Sequence, residues 1–149
     1  MNTIRKMAGA AAATALLAAG LAISTTAGAH AQTGADPKTF YWDNPQRAGD
    51  CTMFEGATWT LYPNGTAYFD AVVTSSDDGD AWLMWARLKD ANGAVLGALS
   101  NPRIQDPVDR AKFVKNLPSH TQRYRWFASG SFNPNLFSLI KRMSLSKHC

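Results

Sequence analysis

The sequence predicts a fold that is all-β or mainly β: a small antiparallel meander that closes as a barrel or sandwich, with one short helix near the C-terminus. Two turns that contain Asn-Gly separate segments in which apolar and polar residues alternate, and this combination is typical of β-hairpins. Short strand-like segments follow one another without the strand–helix alternation of parallel sheets, which favours antiparallel pairing.

The N-terminus has the three parts of a secretory signal peptide. Two basic residues at positions 5–6 precede residues 7–23, which are uncharged and rich in Ala and Leu. The Ala-His-Ala segment at 29–31 has the pattern of a cleavage site, so we predict a cut between Ala31 and Gln32. A membrane anchor is the alternative, but the abundance of Ala and Gly favours a signal. We therefore expect a secreted, extracellular protein with no membrane segment after the signal is removed.

Cleavage would leave a flexible lead at residues 32–38 and a single compact β domain at residues 39–149. Loss of the two basic residues of the signal lowers the formal net charge from +4 to +2. The remaining charge is uneven, with −5 over residues 32–100 and +7 over residues 101–149. Such asymmetry occurs in nucleic-acid-binding proteins, but here the basic residues are spaced singly. We predict that the acidic and basic halves pair within one folded domain. We also expect the protein to be a monomer and to have no nucleic-acid partner.

The first hairpin is the clearest local pattern. After a short strand at residues 39–43 and a turn-rich segment, residues 57–62 and 66–74 alternate and are joined by Pro63-Asn64-Gly65. Pairing of Tyr62 with Thr66 puts three apolar pairs on one face: Leu61 with Ala67, Trp59 with Phe69, and Ala57 with Ala71. The pattern and the turn therefore predict the same register.

A second hairpin is predicted between residues 81–89 and 94–99, with Asn92-Gly93 in the turn. Pairing of Asp90 with Ala94 would set Leu88 against Leu96 and Ala86 against Ala98. One face of the first strand carries Trp82, Met84, Ala86 and Leu88, and the other carries Leu83, Trp85, Arg87 and Lys89.

The C-terminal third has weaker patterns. Residues 101–107 contain two Pro and are predicted to form a loop, and residues 123–129 alternate like a strand. Asn133-Pro134 is typical of a helix start, and apolar residues then recur at helical spacing: Leu136, Leu139, Ile140 and Met143. The tail at residues 142–147 alternates again, so the boundary between helix and strand stays open.

Two cysteines, Cys51 and Cys149, follow the predicted cleavage site. An even number in an exported protein predicts a disulfide, and two cysteines allow one pairing. The closed loop of about 100 residues corresponds to roughly 4.7 kcal/mol in the chain-entropy treatment. A metal site at His148-Cys149 is disfavoured because one adjacent pair does not supply a closed set of four ligands.

Three segments together resemble a known family: GDCTMFEGATW at 49–59, YPNGTA at 62–67 and TSSDDGDAW at 74–82. They are similar to an uncharacterised family, a domain of unknown function, of small secreted actinobacterial proteins. The resemblance extends over about residues 40–149. It implies a secreted bacterial protein and carries no activity or catalytic residue to this chain.

Catalytic and metal motifs are weak. Residues 77–80, Asp-Asp-Gly-Asp, lack the late glutamate of a calcium loop, so we interpret them as a solvated turn. Glu55 is the only glutamate, and pairing it with Asp50 or Asp70 gives the one hydrolase hypothesis. No Gly-x-Ser-x-Gly segment occurs, and His120 is interpreted as a loop residue. We therefore assign no catalytic residue, no metal and no cofactor, and favour a protein that is not an enzyme.

The aromatic content, 11% of the chain, is the main functional signal. We predict a candidate binding face at Tyr62, Tyr68, Asp70 and Trp85, because exposed rings beside polar groups stack on sugars or anchor proteins. The alternative is that a second sheet covers these rings. The leading hypothesis is a secreted, non-catalytic domain that binds an unknown ligand, either carbohydrate or extracellular protein. The alternatives are a small hydrolase using Glu55 and an inhibitor of a secreted enzyme acting through the loop at 101–107.

Overall fold

A computed structural model describes residues 34–149 of the chain. The predicted signal peptide, its cleavage site at Ala31 and Gln32, and the first residues of the flexible lead lie outside the described residues. From residue 34 to the C-terminus, no helix has the length and apolar character needed to cross a membrane.

Six strands form an antiparallel sheet around the long central strand β5. They are β1 (Lys38–Trp42), β2 (Gln46–Ala48), β3 (Cys51–Met53), β4 (Ala57–Leu61), β5 (Thr66–Ser75) and β9 (Tyr124–Ser131). β5 pairs with β4 and β3 along its length and also with β9. β1 extends the sheet beyond β4, and β2 extends it beyond β3.

The other four strands form a second antiparallel sheet around β6. They are β6 (Asp80–Lys89), β7 (Val95–Ala98), β8 (Phe113–Leu117) and β10 (Arg142–His148). β6 pairs with β10, β7 and β8. The prediction of a mainly β, antiparallel fold is confirmed, and the strand predicted at the C-terminal tail corresponds to β10.

The two sheets share one buried core, so the arrangement is a two-layer packing of sheets. Trp59 of the six-stranded sheet lies edge-on to Phe113 of the four-stranded sheet, with ring centroids 5.3 Å apart. Trp59 also packs on Phe69, which in turn contacts Trp126. The barrel alternative is wrong for residues 34–149, because β5 and β6 belong to separate sheets although they follow each other in the chain.

The β4–β5 hairpin has the predicted register, with Trp59 opposite Phe69 and Leu61 opposite Ala67. The Tyr62 amide donates to the Thr66 carbonyl at 2.8 Å. Gly65 has a φ of 85°, the left-handed conformation that the turn requires. The register that the turn residues and the alternation predict for this hairpin is therefore confirmed.

The second hairpin differs from the prediction by one residue. Its turn closes as expected, with the Asp90 amide donating to the Ala94 carbonyl at 3.0 Å. A bulge then shifts the register, so that Leu88 lies opposite Gly97 and Arg87 opposite Ala98. The predicted pairs Leu88–Leu96 and Ala86–Ala98 are wrong, because a bulge places one extra residue on one strand. The predicted inward face is confirmed: Trp82, Met84, Ala86 and Leu88 are all buried.

The predicted C-terminal helix is absent from residues 34–149, and a single 3₁₀ turn at Pro134–Leu136 stands in its place. Asn133 caps this turn as predicted, since its side-chain oxygen accepts from the Asn135 amide at 3.0 Å. An α-helix would need Lys141 N–H to donate back to Phe137. Instead, Lys141 donates to the Lys89 carbonyl at 2.9 Å, which begins the path of β10.

A disulfide joins Cys51, at the start of β3, to Cys149, after β10. The two Cα atoms are 5.8 Å apart, and 98 positions separate the residues in sequence. The bridge therefore links the six-stranded sheet covalently to the four-stranded sheet, and the predicted pairing is confirmed.

Candidate ligand-binding surface

The outward surface of the six-stranded sheet, called the outer face below, combines aromatic rings with hydroxyl groups. Side chains alternate along each strand, so the neighbours of the buried residues point away from the core. The outer face consists of Thr39, Tyr41, Thr58, Thr60, Thr66, Tyr68, Asp70, Val72, Arg125, Phe127 and Ser129. A hydroxyl–hydroxyl contact of 3.1 Å between Thr39 and Thr60 shows that neighbouring strands present these groups side by side.

Three rings on the outer face are open to solvent. The exposed fractions are 64% for Tyr41, 52% for Tyr68 and 65% for Phe127. Register places Tyr41, Thr58, Asp70 and Phe127 in one row across four strands. Polar side chains therefore separate the rings in this row.

An ion pair fixes the centre of the outer face. Arg125 donates to both oxygens of the Asp70 carboxylate, from Nε at 3.0 Å and from Nη2 at 2.6 Å. This hydrogen bonding raises the pKa of the Arg125 guanidinium above its ordinary value. The guanidinium also lies 4.8 Å from the centre of the Phe127 ring, which is within the range of a cation–π contact.

Tyr62 lies at one end of the outer face, half-buried. Its ring is edge-on to that of Tyr68, with centroids 5.7 Å apart. Tyr62 also lines an open hollow of about 430 Å³ together with Pro63 and the segment from Gly34 to Pro37. The structure thus brings together three of the four residues predicted for the binding face: Tyr62, Tyr68 and Asp70.

Trp85 is the fourth residue, and the structure places it elsewhere. It belongs to β6, in the other sheet, where it is half-buried. Its indole Nε1 donates to the Asp109 carboxylate at 2.6 Å, and the Lys112 ammonium is 6.0 Å from its ring. This hydrogen bond anchors the 101–112 loop. Trp85 lies away from the outer face because the chain crosses from one sheet to the other between β5 and β6.

Sequence reasoning missed Tyr41, Arg125 and Phe127. Each has a signal in its own segment, since Tyr41 alternates with Phe40 and Trp42, and residues 125 and 127 flank the buried Trp126. What the sequence lacks is the pairing of β1 and β9 around the first hairpin. That pairing brings these side chains onto the surface that carries Tyr68 and Asp70.

The carboxylates of the hydrolase hypothesis have separate environments. Asp70 is held by Arg125, whereas Glu55 is exposed in the turn between β3 and β4. Asp50 lies in the turn before β3, and its backbone carbonyl accepts from the Ser76 amide at 3.0 Å. Arg125 therefore occupies both oxygens of the one candidate that lies on the outer face.

A group with metal-ligand atoms lies at the disulfide. One ligand atom each from Cys51, Asp80 and Cys149 falls within 4.8 Å of the others. Both sulfurs are in the disulfide, and a metal needs the thiolate form of cysteine. The Asp80 carboxylate instead accepts from the Ser75 hydroxyl. The disulfide and the Ser75–Asp80 hydrogen bond therefore both connect the six-stranded sheet to the four-stranded sheet.

His120 and the acidic turn at 77–80 meet at the surface. The His120 amide donates to an Asp78 carboxylate oxygen at 2.7 Å, and the ring Nδ1 lies 2.8 Å from the same oxygen. These hydrogen bonds, the backbone one first, lower the pKa of Asp78 below its ordinary value of 3.8. The contact connects the β5–β6 turn to the β8–β9 turn.

Comparison with known proteins finds a matching family. A sequence model of the Family of unknown function (DUF6294) matches residues 58–149, which include the outer-face residues of β4, β5 and β9. No curated protein and no solved structure matches the chain.

Proposed function

The chain belongs to the Family of unknown function (DUF6294), and we propose that it is an exported, non-catalytic domain that binds an extracellular ligand through its outer face. The observation that carries this proposal is the set of solvent-exposed rings Tyr41, Tyr68 and Phe127 on one side of one sheet. Rings that alternate with hydroxyl and charged groups offer a ligand both stacking surfaces and hydrogen-bond partners.

Export is supported by two features. The N-terminal sequence has a basic pair, an uncharged Ala- and Leu-rich segment and a cleavage signature ending at Ala31. The disulfide between Cys51 and Cys149 belongs to an oxidising compartment, because cytosolic thiols are kept reduced.

The surroundings of the rings favour a glycan over a protein as the ligand. Thr58, Thr60 and Ser129 place hydroxyl groups between the aromatic rings, and Asp70 with Arg125 adds charged hydrogen-bonding groups. A sugar ring has apolar C–H faces that stack on aromatic rings and hydroxyl edges that need hydrogen-bond partners. Asp and Glu are depleted at the centre of protein–protein interfaces, whereas the Asp70 carboxylate lies in the middle of this surface.

The test is affinity electrophoresis through gels that contain single polysaccharides. We expect at least one polysaccharide to retard the wild-type protein, and the Tyr68→Ala/Phe127→Ala variant to migrate freely because it lacks two stacking rings. Val95→Ala is the matched control, since Val95 is exposed on the other sheet. Retardation that is equal in all three proteins would contradict a role for the outer face.

Inhibition of a secreted enzyme is a second candidate, favoured by the loop at residues 101–107. The loop exposes Ile104, Val108 is exposed directly after it, and the side chain of the buried Asn101 holds the loop by two hydrogen bonds that it donates and one that it accepts. A rigid, exposed loop suits insertion into an active site. The test is inhibition of a panel of secreted proteases at equimolar protein, with Ile104→Asp expected to abolish it. Full protease activity across the panel would eliminate this candidate.

The hydrolase hypothesis has less support from the geometry. A glycosidase needs two carboxylates free to face a substrate, and Arg125 occupies both oxygens of Asp70. Release of sugar from a bound polysaccharide by the wild-type protein, lost in Glu55→Gln, would favour the hydrolase over the binding domain.

A further inference from the structure

A polar cleft borders the outer face where β8 of one sheet runs beside β9 of the other. Its volume is about 170 Å³. The cleft, called the edge cleft below, is lined by side chains from both strands and from the 101–105 segment, including Arg103, Gln105, Lys115, Trp126, Phe127 and Ser129.

Two cations of the edge cleft have no acidic partner. Among residues 34–149, neither Arg103 nor Lys115 forms an ion pair with a carboxylate. The Lys115 ammonium lies 5.8 Å from the centre of the Tyr124 ring, which orients it without neutralising its charge. The edge cleft therefore presents two positive charges.

The nearby carboxylates are already bound to other groups. Lys112 donates to Asp106, the Trp85 indole donates to Asp109, and Arg125 holds Asp70. The hydrogen bond from Lys112 lowers the pKa of Asp106 below its ordinary value of 3.8, so this acid stays ionised with its own partner. An anion that enters the edge cleft meets cations that no neighbouring acid competes for.

The wall of the edge cleft is rigid and strained. The side-chain oxygen of Asn101 accepts from the Arg103 amide at 3.0 Å. The side-chain Oε1 of Gln105 accepts from the Val114 amide at 2.8 Å, and its Nε2 donates to the Val114 carbonyl at 3.0 Å. Ile104, between two lining residues, has a φ of 44°, a conformation that costs a β-branched residue energy and that clusters at binding sites. The backbone that carries Arg103 is thus held in place beside β8.

The edge cleft is continuous with the outer face, because Phe127 and Ser129 belong to both. A polymer lying across the exposed rings would bring a substituent to Arg103 and Lys115. Charge-assisted hydrogen bonds to these cations select an anionic substituent.

Resting on the proposed function, we propose that the ligand is an acidic polysaccharide whose sugar rings lie on Phe127 and Tyr68 and whose carboxylate enters the edge cleft. Arg103 and Lys115 bind the carboxylate, and the aromatic rings bind the sugar. An acidic protein segment would satisfy the cations, so polyglutamate is included in the test as a competitor.

The experiment compares each acidic polymer with its own neutral ester. Alginate and polygalacturonate are titrated against the exported protein, in parallel with propylene glycol alginate and methyl-esterified polygalacturonate. We expect at least one acidic polymer to bind, and its ester to bind about tenfold more weakly, since a charged hydrogen-bonding group is removed. Added salt should weaken binding of the acid and leave binding of the ester unchanged.

Variants locate the effect. Arg103→Gln/Lys115→Gln should lose the preference for the acid over the ester. Arg87→Gln/Arg142→Gln, which removes two charges from neighbouring strands of the other sheet, should keep it. Melting temperatures check that both proteins are folded.

The outcomes separate this inference from the proposed function. Failure of both acids to bind, equal binding of acid and ester, or an unchanged preference in Arg103→Gln/Lys115→Gln would overturn the inference. Polyglutamate that binds as tightly as the acidic polysaccharide would overturn the assignment to a glycan. Binding of a neutral polysaccharide that Tyr68→Ala/Phe127→Ala abolishes would retain the outer face and refute the acidic ligand alone.

Discussion

At the scale of single residues, Gly65 is the most constrained position in the first hairpin. A Cβ atom added there would lie 2.5 Å from the Phe132 carbonyl oxygen, and the φ of 85° is left-handed. The Phe132 amide also donates to the Gly65 carbonyl at 2.8 Å. The absence of a side chain at Gly65 thus allows the hairpin turn to pack against the end of β9.

Gly65→Ala is expected to destabilise the protein more than Gly93→Ala. Both glycines have positive φ, which costs an L-residue about 1–2 kcal/mol. A Cβ at Gly93 would have no neighbour within 4 Å, so only Gly65→Ala adds a steric clash. Chemical denaturation of the two variants measures the difference, and equal free energies of unfolding would contradict the close packing at Gly65.

Two carboxylates make stability dependent on acid pH. The hydrogen bond from Lys112 lowers the pKa of Asp106, and those from His120 lower the pKa of Asp78, both from 3.8. A group whose native pKa is lowered contributes stability that is present above its ordinary pKa and is lost as pH falls through the native pKa. Both contributions therefore disappear in the same acidic range.

Asp106→Asn should flatten the acid part of the stability profile. We expect the wild-type melting temperature to fall as pH drops below about 4, and the variant, which has no carboxylate to protonate there, to fall less. Asp43→Asn, at an exposed position between β1 and β2, is the control. Parallel profiles for wild type and Asp106→Asn would show that the Asp106–Lys112 pair contributes nothing measurable.

At the scale of strands and loops, local signals predicted what local interactions determine. The β4–β5 hairpin followed from alternation and from the turn at 63–65. For the β6–β7 hairpin, the turn and the buried face of β6 were predicted but the register was not, because alternation does not encode a bulge. The 3₁₀ turn at Pro134–Leu136 has the predicted cap, but packing and the pairing of β10 with β6 overrode the helical spacing beyond it.

Gln105 protects the outer edge of β8. Its side-chain amide bonds the backbone N–H and C=O of Val114, in the way that a neighbouring strand would. Unpaired strand edges attract further strands, so this side chain also opposes association between molecules.

Gln105→Ala should lose about 1–3 kcal/mol of stability, because two hydrogen bonds are removed. It should also increase self-association at high concentration. Gln122→Ala, in the exposed turn between β8 and β9, is the control for removing a glutamine side chain. Denaturation and light scattering measure the two effects, and an unchanged free energy of unfolding would refute the role of Gln105.

At the scale of the whole molecule, the sequence left the assignment of strands to sheets undetermined. The crossing between β5 and β6 separates Trp85 from Tyr68 and Asp70, although all three were predicted on one surface. Alternation tells inward from outward side chains on a strand, but it does not tell which strands are neighbours. The disulfide, in contrast, followed from two cysteines in a chain with an export signal.

Removing the disulfide should weaken the connection between the two sheets. Cys51→Ser/Cys149→Ser opens a loop of 98 positions, and we expect a loss of about 3–5 kcal/mol. A reductant should lower the melting temperature of the wild type to that of the variant and leave the variant unchanged. A wild-type melting temperature that is unaffected by reduction would contradict a stabilising role for the bridge.

The outer face as the binding surface is tested most directly by mapping amide chemical shifts while a retarding polysaccharide is added to the protein. If the outer face binds the polysaccharide, the amide shifts of Tyr41, Tyr68, Asp70 and Phe127 change, on strands β1, β5 and β9. The shifts of Arg87 and Ser144, which are paired in the other sheet, stay the same. Changes confined to β6 and β10 would show that the ligand binds the other sheet.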